Sequence, residues 1–215
     1  MARAAAAAGR DVQSITLLAV SKGQALPRIR AALALGLTDF GENYVDEALP
    51  KIESLRGSGA RWHFIGRLQA NKTRAVAGNF SWVHGVDRLR IAQRLSAQRP
   101  ADAPALNVCV QVYIADDPAK AGVAPEELLP LLHAIAPLPQ LRLRGLMCML
   151  PYGIGADEQL ACFTRLADLA QQARAAGLPL DTLSMGMSAD FEPAIAAGAT
   201  IVRIGTALFG DRMQP

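Results

Sequence analysis

The chain has 215 residues, 51% of them hydrophobic and 19% charged, a balance that excludes a disordered, fibrous or disulfide-stapled protein. Its 22 Lys and Arg against 19 Asp and Glu leave a formal charge of +3; the basic residues are scattered, with no aromatic-interleaved stripe, which argues against a nucleic-acid partner and leaves room for a small anionic ligand. Three cysteines without a CxxC pair point to free thiols in a reducing, cytoplasmic setting, and no apolar run approaches the roughly 20 residues that span a bilayer.

Residues 1–10 are acid-poor and read as the last turns of a first helix stopped by Gly9, not as a transit peptide. A first strand is expected over 15–21. A helix over 27–35 follows, with Ile29, Ala32 and Leu33 sharing a face and Gly36 as its stop. Further strands are expected over 39–42, 62–65, 82–86 and 106–114. The stretch 116–122 is rich in small and turn-forming residues and reads as a flap. Beyond it come a strand over 141–149 and a long helix over 157–176. That helix carries Leu160, Phe163, Leu166, Leu169 and Ala170 on one stripe, opens on acidic residues and stops at Gly177-Leu178-Pro179. Strands over 182–185 and 201–204 complete the series.

Eight strands alternating with helices imply an α/β fold with a parallel sheet, and eight is the number that closes a (β/α)8 TIM-type barrel. A doubly wound open sheet is the other arrangement such alternation allows. It would need a glycine-rich fingerprint after the first strand and one switch point; here polar residues sit at many strand ends. A single domain over 1–215 is expected.

In a closed barrel the chemistry gathers at the C-terminal strand ends. The first strand ends in Ala19-Val20-Ser21-Lys22, an apolar run closed by a lysine that alternation does not explain. Either the lysine stands in solvent just past the strand, or it is desolvated at the barrel mouth, where a lowered pKa leaves more free amine to attack a carbonyl. The seventh and eighth strands end in Gly- and hydroxyl-bearing turns, 184–190 and 203–206, where barrels commonly bind phosphate through backbone N–H groups. Gly186 and Gly205 would admit a close approach of backbone to an anion, and Ser188 and Thr206 would add hydroxyls. Ordinary turn chemistry would use the same residues. A reactive lysine beside a phosphate cradle suits a phosphorylated carbonyl compound, which leaves two classes: a protein of pyridoxal 5′-phosphate (PLP), or a class I aldolase acting on a sugar phosphate.

The stretches LLAVSK (17–22), FGENY (40–44), WHFIGRLQANK (62–72), RGLM (144–147), LSMGMSAD (183–190) and VRIGTALFG (202–210) run in order across nearly the whole chain. Through them the sequence resembles the pyridoxal phosphate homeostasis protein family. The resemblance implies a monomeric barrel similar to the alanine racemase N-terminal domain, with PLP held as a Schiff base on Lys22. By motif it sets Asn43 beside the cofactor ring, Arg203 opposite the pyridine nitrogen, Ser188, Gly205 and Thr206 around the phosphate, and Met147 and Met185 in the pocket lining. It further implies a role in buffering PLP or delivering it to apo-forms of PLP-dependent enzymes, without turnover. The chain departs from the family pattern in placing its proline at Pro27, Tyr113 where many relatives have Asn, and 115–119 before the matching Lys120-Ala121-Gly122.

The residues themselves argue against catalysis. Arginine donates but cannot accept, so Arg203 would leave a pyridine nitrogen unprotonated and the cofactor a poor electron sink. The sequence stops five residues after Gly210, so a second domain bringing a further base is not expected. Tyr44 is a nominal base but reads as a packing residue, and His63, on a strand, reads as a hydrogen-bonded core histidine. A weak amino-acid racemase and an aldolase are the enzymatic alternatives. A regulatory partner that uses PLP as a signal is the third.

Overall fold

The expected strand centres all become strands. In the computed structural model, which describes residues 1–115 and 122–210, they are Thr16–Val20 (β1), Asp39–Glu42 (β2), Arg61–Phe64 (β3), Trp82–Val86 (β4), Leu106–Gln111 (β5), Leu141–Met147 (β6), Thr182–Met187 (β7) and Ile201–Ile204 (β8). Each pairs in parallel with its neighbour in sequence, and β8 returns to β1, so the sheet closes into a barrel. The alternating alternative, an open doubly wound sheet, is thereby excluded.

The differences lie at the strand ends. β5 stops at Gln111, short of the expected 114, because the chain leaves the sheet there and Val112 bridges instead to Val123. β7 runs two residues past the expected 185 through an irregularity between Ser184 and Met187 against β8. Of the expected flap only Gly122 falls within the described residues; the rest of it, including Lys120, lies outside them.

The helices are Ala2–Ala7 (α1), Leu26–Ala34 (α2), Val45–Ser54 (α3), Thr73–Asn79 (α4), Leu89–Gln98 (α5), Pro125–Ile135 (α6), Ala156–Ala175 (α7), Phe191–Ala196 (α8) and Thr206–Phe209 (α9). The apolar face of each crossover helix packs on the outside of the barrel. In α7 the buried stripe is Phe163, Leu166, Ala170 and Ala173. Leu160 was expected on it but is 39% exposed, because the first turn of α7 stands at the barrel mouth, where Gln159 lines the cavity described below.

The inside of the barrel is different. A small apolar plug of Leu18, Ile65 and Ile201, with Val20 and Trp82 against it, shares that space with fully or nearly buried polar groups: His63, His84, Ser184 and Arg203. Buried polar groups persist only when hydrogen-bonded, and these bond to one another. This polar interior is the floor on which the functional site stands.

Candidate functional site

Lys22 lies two residues past the end of β1, and both of its neighbours are tied to α3. Buried Ser21 donates from Oγ to Glu42 Oε1 at 2.6 Å, and its carbonyl accepts from Lys51 Nζ at 2.8 Å. On the other side, the Gly23 N–H donates to Glu47 Oε1 at 2.6 Å. Lys51 joins the two carboxylates, donating to Glu42 at 2.8 Å and to Glu47, one turn back on its own helix, at 2.6 Å. Burial drives the Glu42 carboxyl pKa up, opposed by hydrogen bonds from Lys51 and Ser21. No motif pointed to Lys51. Its spacing of four residues from Glu47 was legible, but its reach to β1 and β2 was not.

Lys22 opens onto a cavity of about 410 Å³ at the C-terminal mouth of the barrel, within the size range of small-molecule and cofactor sites. Val20, Ile65 and Arg203 are at its base; Asn43, Ser188, Gly205 and Thr206 also line it. Six of the eight residues singled out from sequence thus meet around one space.

Met147 and Met185 do not line it; Met149 and Met187 do. Met185 belongs instead to the large core cluster between barrel and helices. Met147 is fully buried, and the cavity begins two residues further along the chain, just beyond the end of β6. Two-residue periodicity leaves such a choice of depth and face open, and the irregularities at β5–β6 and β7–β8 change the count.

Arg203, which lines the cavity from β8, is only 4% exposed. Its Nη1 donates to the Ser184 carbonyl at 2.6 Å and to Ser184 Oγ at 3.0 Å, and its Nη2 to the Cys148 carbonyl at 2.8 Å. Burial lowers its pKa, yet an arginine remains cationic at any physiological pH. Its Nε has no hydrogen-bond partner among the described residues. Asn43 presents a second unspent group, an Oδ1 that is buried without a partner. Asn43 is held in place by Gly66: a Cβ there would fall 2.3 Å from the Asn43 carbonyl oxygen, which explains the glycine in WHFIG.

The rim is made by two turns. Thr206 opens α9 and Gly205 is its N-cap, so the first N–H groups of the turn lie outside the intrahelical ladder. Ser188 Oγ accepts from the Ala207 N–H at 3.4 Å, which binds the β7–α8 turn to the first turn of α9. Gly186 has a different role from the one expected. At φ +89°, a Cβ there would lie 2.6 Å from Ala194 Cβ and 3.0 Å from Phe191 Cα, so this glycine admits α8, not a ligand.

Other expected residues sit apart from the cavity. Tyr44, read as a packing residue, is 64% exposed beside a neighbouring hollow that also takes Arg67 and Lys72. His63 is indeed buried and bonded, to Asp39 and to His84. Cys109 and Cys148 are fully buried, and burial pushes both thiols up to about 12. Tyr152, which sequence reasoning passed over, lines the cavity at its open side while 86% exposed.

A lysine just past the first strand, an arginine on the last and an anion-type rim, set at the mouth of a closed parallel barrel, define the class of the alanine racemase N-terminal domain. A model of that domain, "Alanine racemase, N-terminal domain", matches residues 3–213. The chain is 55% identical over 209 residues to the pyridoxal phosphate homeostasis protein of Pseudomonas aeruginosa, covering 97% of this chain and 90% of that one. It is 50% identical over 219 residues to the protein of the same name from Escherichia coli K12, covering 97% and 91%. Among solved structures it matches PipY of Synechococcus elongatus with PLP bound, at TM-score 0.87 and 38% identity, over 97% of this chain and 99% of that one. The chain belongs to the pyridoxal phosphate homeostasis protein family.

Proposed function

We propose that this protein binds PLP at the barrel mouth and serves PLP homeostasis, holding the cofactor or passing it to apo-forms of PLP-dependent enzymes, without catalytic turnover. The observation that carries the reading is the convergence of Lys22, Arg203 and the Ser188, Gly205 and Thr206 rim on one cavity of about 410 Å³. The donor set suits the group. Lys22 supplies an amine for the aldehyde in a Schiff base. The unspent Nε of Arg203 suits a ring nitrogen that accepts. The unpartnered Asn43 Oδ1 suits a donor beside the ring, and the rim hydroxyls and amides suit a phosphate. The related PipY, with PLP bound, supports the same assignment.

Bound PLP supplies an electrophilic carbonyl and, when its ring nitrogen is protonated, an electron sink. Arg203 opposes that protonation, because a guanidinium has no lone pair to share with a pyridinium N–H. This is the physical support for a carrier over an enzyme. The free buried thiols fit a cytoplasmic setting, and among the described residues no helix is long and apolar enough to cross a membrane. A monomeric state is part of the same proposal.

The purified protein should show the visible absorption of lysine-bound PLP, and borohydride followed by peptide mass spectrometry should place the tag on Lys22. A colourless protein that ignores added PLP, or a tag on another lysine, would overturn the assignment. The weak-racemase reading rests on one observation, the phenol of Tyr152 on the cavity. It predicts α-proton exchange of alanine in deuterated water with PLP present, abolished in Tyr152→Phe. An aldolase would instead be trapped by borohydride with a sugar phosphate and no PLP.

A further inference from the structure

Below Arg203 an unbroken line of polar side chains crosses the barrel interior. Ser184 Oγ is 3.0 Å from Arg203 Nη1 and 2.7 Å from His84 Nδ1. His84 Nε2 is 3.0 Å from His63 Nδ1, and His63 Nε2 is 3.0 Å from Asp39 Oδ1. Arg61 closes the far end, donating to Asp39 from Nε at 2.8 Å and from Nη2 at 2.6 Å. The line therefore runs from the N-terminal ends of β2 and β3 to the base of the cavity.

Its protons can be assigned by elimination. Burial works to raise the Asp39 pKa, but hydrogen bonds and charge from His63 and Arg61 outweigh it and hold the carboxyl well below the usual range. Asp39 is then ionised and can only accept, so His63 Nε2 carries a proton. A neutral His63 has a bare Nδ1, which obliges His84 to donate from Nε2. His84 Nδ1 is then bare and must accept the one hydrogen of Ser184. That leaves Ser184 Oγ with lone pairs only for Arg203. Every proton points the same way, from guanidinium to carboxylate.

The reverse order needs an imidazolium at His63, 1% exposed, and turns a His84 N–H toward Ser184, whose oxygen already faces Arg203. Burial disfavours that charge: it lowers the His63 pKa against the raising effect of Asp39, and lowers that of His84 further, with His63 and Arg203 adding to the effect. The rings are also held in place. His63 stacks on Trp82 at 5.4 Å and 5° between planes, and Arg144 lies 4.9 Å from the Trp82 ring centroid.

We propose that Asp39, His63, His84 and Ser184 are positioning residues for Arg203: a one-directional hydrogen-bond array, anchored by a carboxylate at the far end of the barrel, that turns the guanidinium toward the cavity and sets its donor strength there. Aligned hydrogen bonds polarise one another in a low-dielectric interior, so the charge of Asp39 reaches Arg203 through three side chains. For a PLP ligand, a meaning that rests on the proposed function, the array tunes the group that meets the ring nitrogen.

The test begins on the ligand-free protein. Long-range proton–nitrogen NMR should show His63 and His84 both neutral at pH 7 and both protonated on Nε2, with bare Nδ1. A ring protonated on Nδ1, or an imidazolium, overturns the array. The second arm loads wild type and Ser184→Ala with PLP. This variant removes one oxygen from a buried site and keeps the carbonyl bond to Arg203. We expect a displaced absorption maximum and a dissociation constant raised about tenfold, the scale of one hydrogen bond to a charged group. An unchanged spectrum and affinity in Ser184→Ala overturns the coupling to Arg203. If wild type takes up no PLP, the proposed function fails, and the nitrogen shifts still decide the array.

Discussion

Arg203 commits two of its three nitrogens to the protein, and that sets what its replacement would cost. Removing it takes away a donor at under 3 Å from each of the Ser184 and Cys148 carbonyls, leaving Ser184 with the longer bond from the Cys148 N–H at 3.4 Å. Arg203→Ala should therefore lower unfolding free energy by roughly 2–4 kcal/mol in urea titrations, beyond any loss of PLP affinity. Lys22 is the contrast. It is only half-buried at the mouth, so Lys22→Ala should abolish the visible absorption and the borohydride tag while shifting stability by less than about 1 kcal/mol. Gly186 is constrained by backbone alone: with φ +89° and Ala194 in the way, Gly186→Ala should destabilise by about 2 kcal/mol or more, seen as a lowered urea midpoint. At this scale much of the site was legible. Lys22, Arg203, Ser188 and the Gly205-Thr206 turn announce themselves as polar groups at strand ends. Met147 and Met185 misled because alternation in a strand cannot show which depth of a barrel a residue reaches.

At the scale of elements, α3 sets the position of the lysine. Its Lys51 and Glu47 reach across to Ser21 and Gly23, so the docking of one helix fixes the loop that carries Lys22. Lys51→Ala leaves Glu42 buried beside no cation and should cost about 3–5 kcal/mol. The paired change Glu42→Leu with Lys51→Met removes both charges and should recover most of that stability. PLP affinity should not recover with it, because the bond from Lys51 to the Ser21 carbonyl is lost in either case. Equal recovery of stability and affinity in the double variant would show that α3 contributes packing and nothing more. The helices themselves were readable from their apolar period and glycine stops. Which helix would hold which strand end was not, since that follows from the closed strand order.

Across the whole molecule, the neutral histidines inside the barrel make stability depend on pH. A histidine whose pKa is lowered in the fold binds its proton more readily when unfolded, so stability is present above the ordinary value of 6.5 and is lost as pH falls below it. Replacing His84 removes its share of that loss. The stability gap between wild type and His84→Gln should accordingly narrow by about 1 kcal/mol between pH 7.5 and 5.5, one pH unit below 6.5 being worth about 1.4 kcal/mol at most. Urea titrations of both proteins at the two pH values check it. Asp39 adds a second step with the same sign: its lowered pKa contributes stability that is lost as pH falls through and below the ordinary 3.8.

The sequence alone settled the βα period, the number of strands and the polar character of their ends, because these depend on local pattern: apolar runs, helical spacing and turn residues repeat within a few positions. It also carried the family motifs. What only the closed barrel decided is which of those ends face each other and what lies beneath them. His84 gives no local sign of being different from any strand residue, and Asp39 and Ser184 look like ordinary strand polarity. Closure brings all three into one buried interior, where a polar group must find a partner, and so builds the line that ends on Arg203.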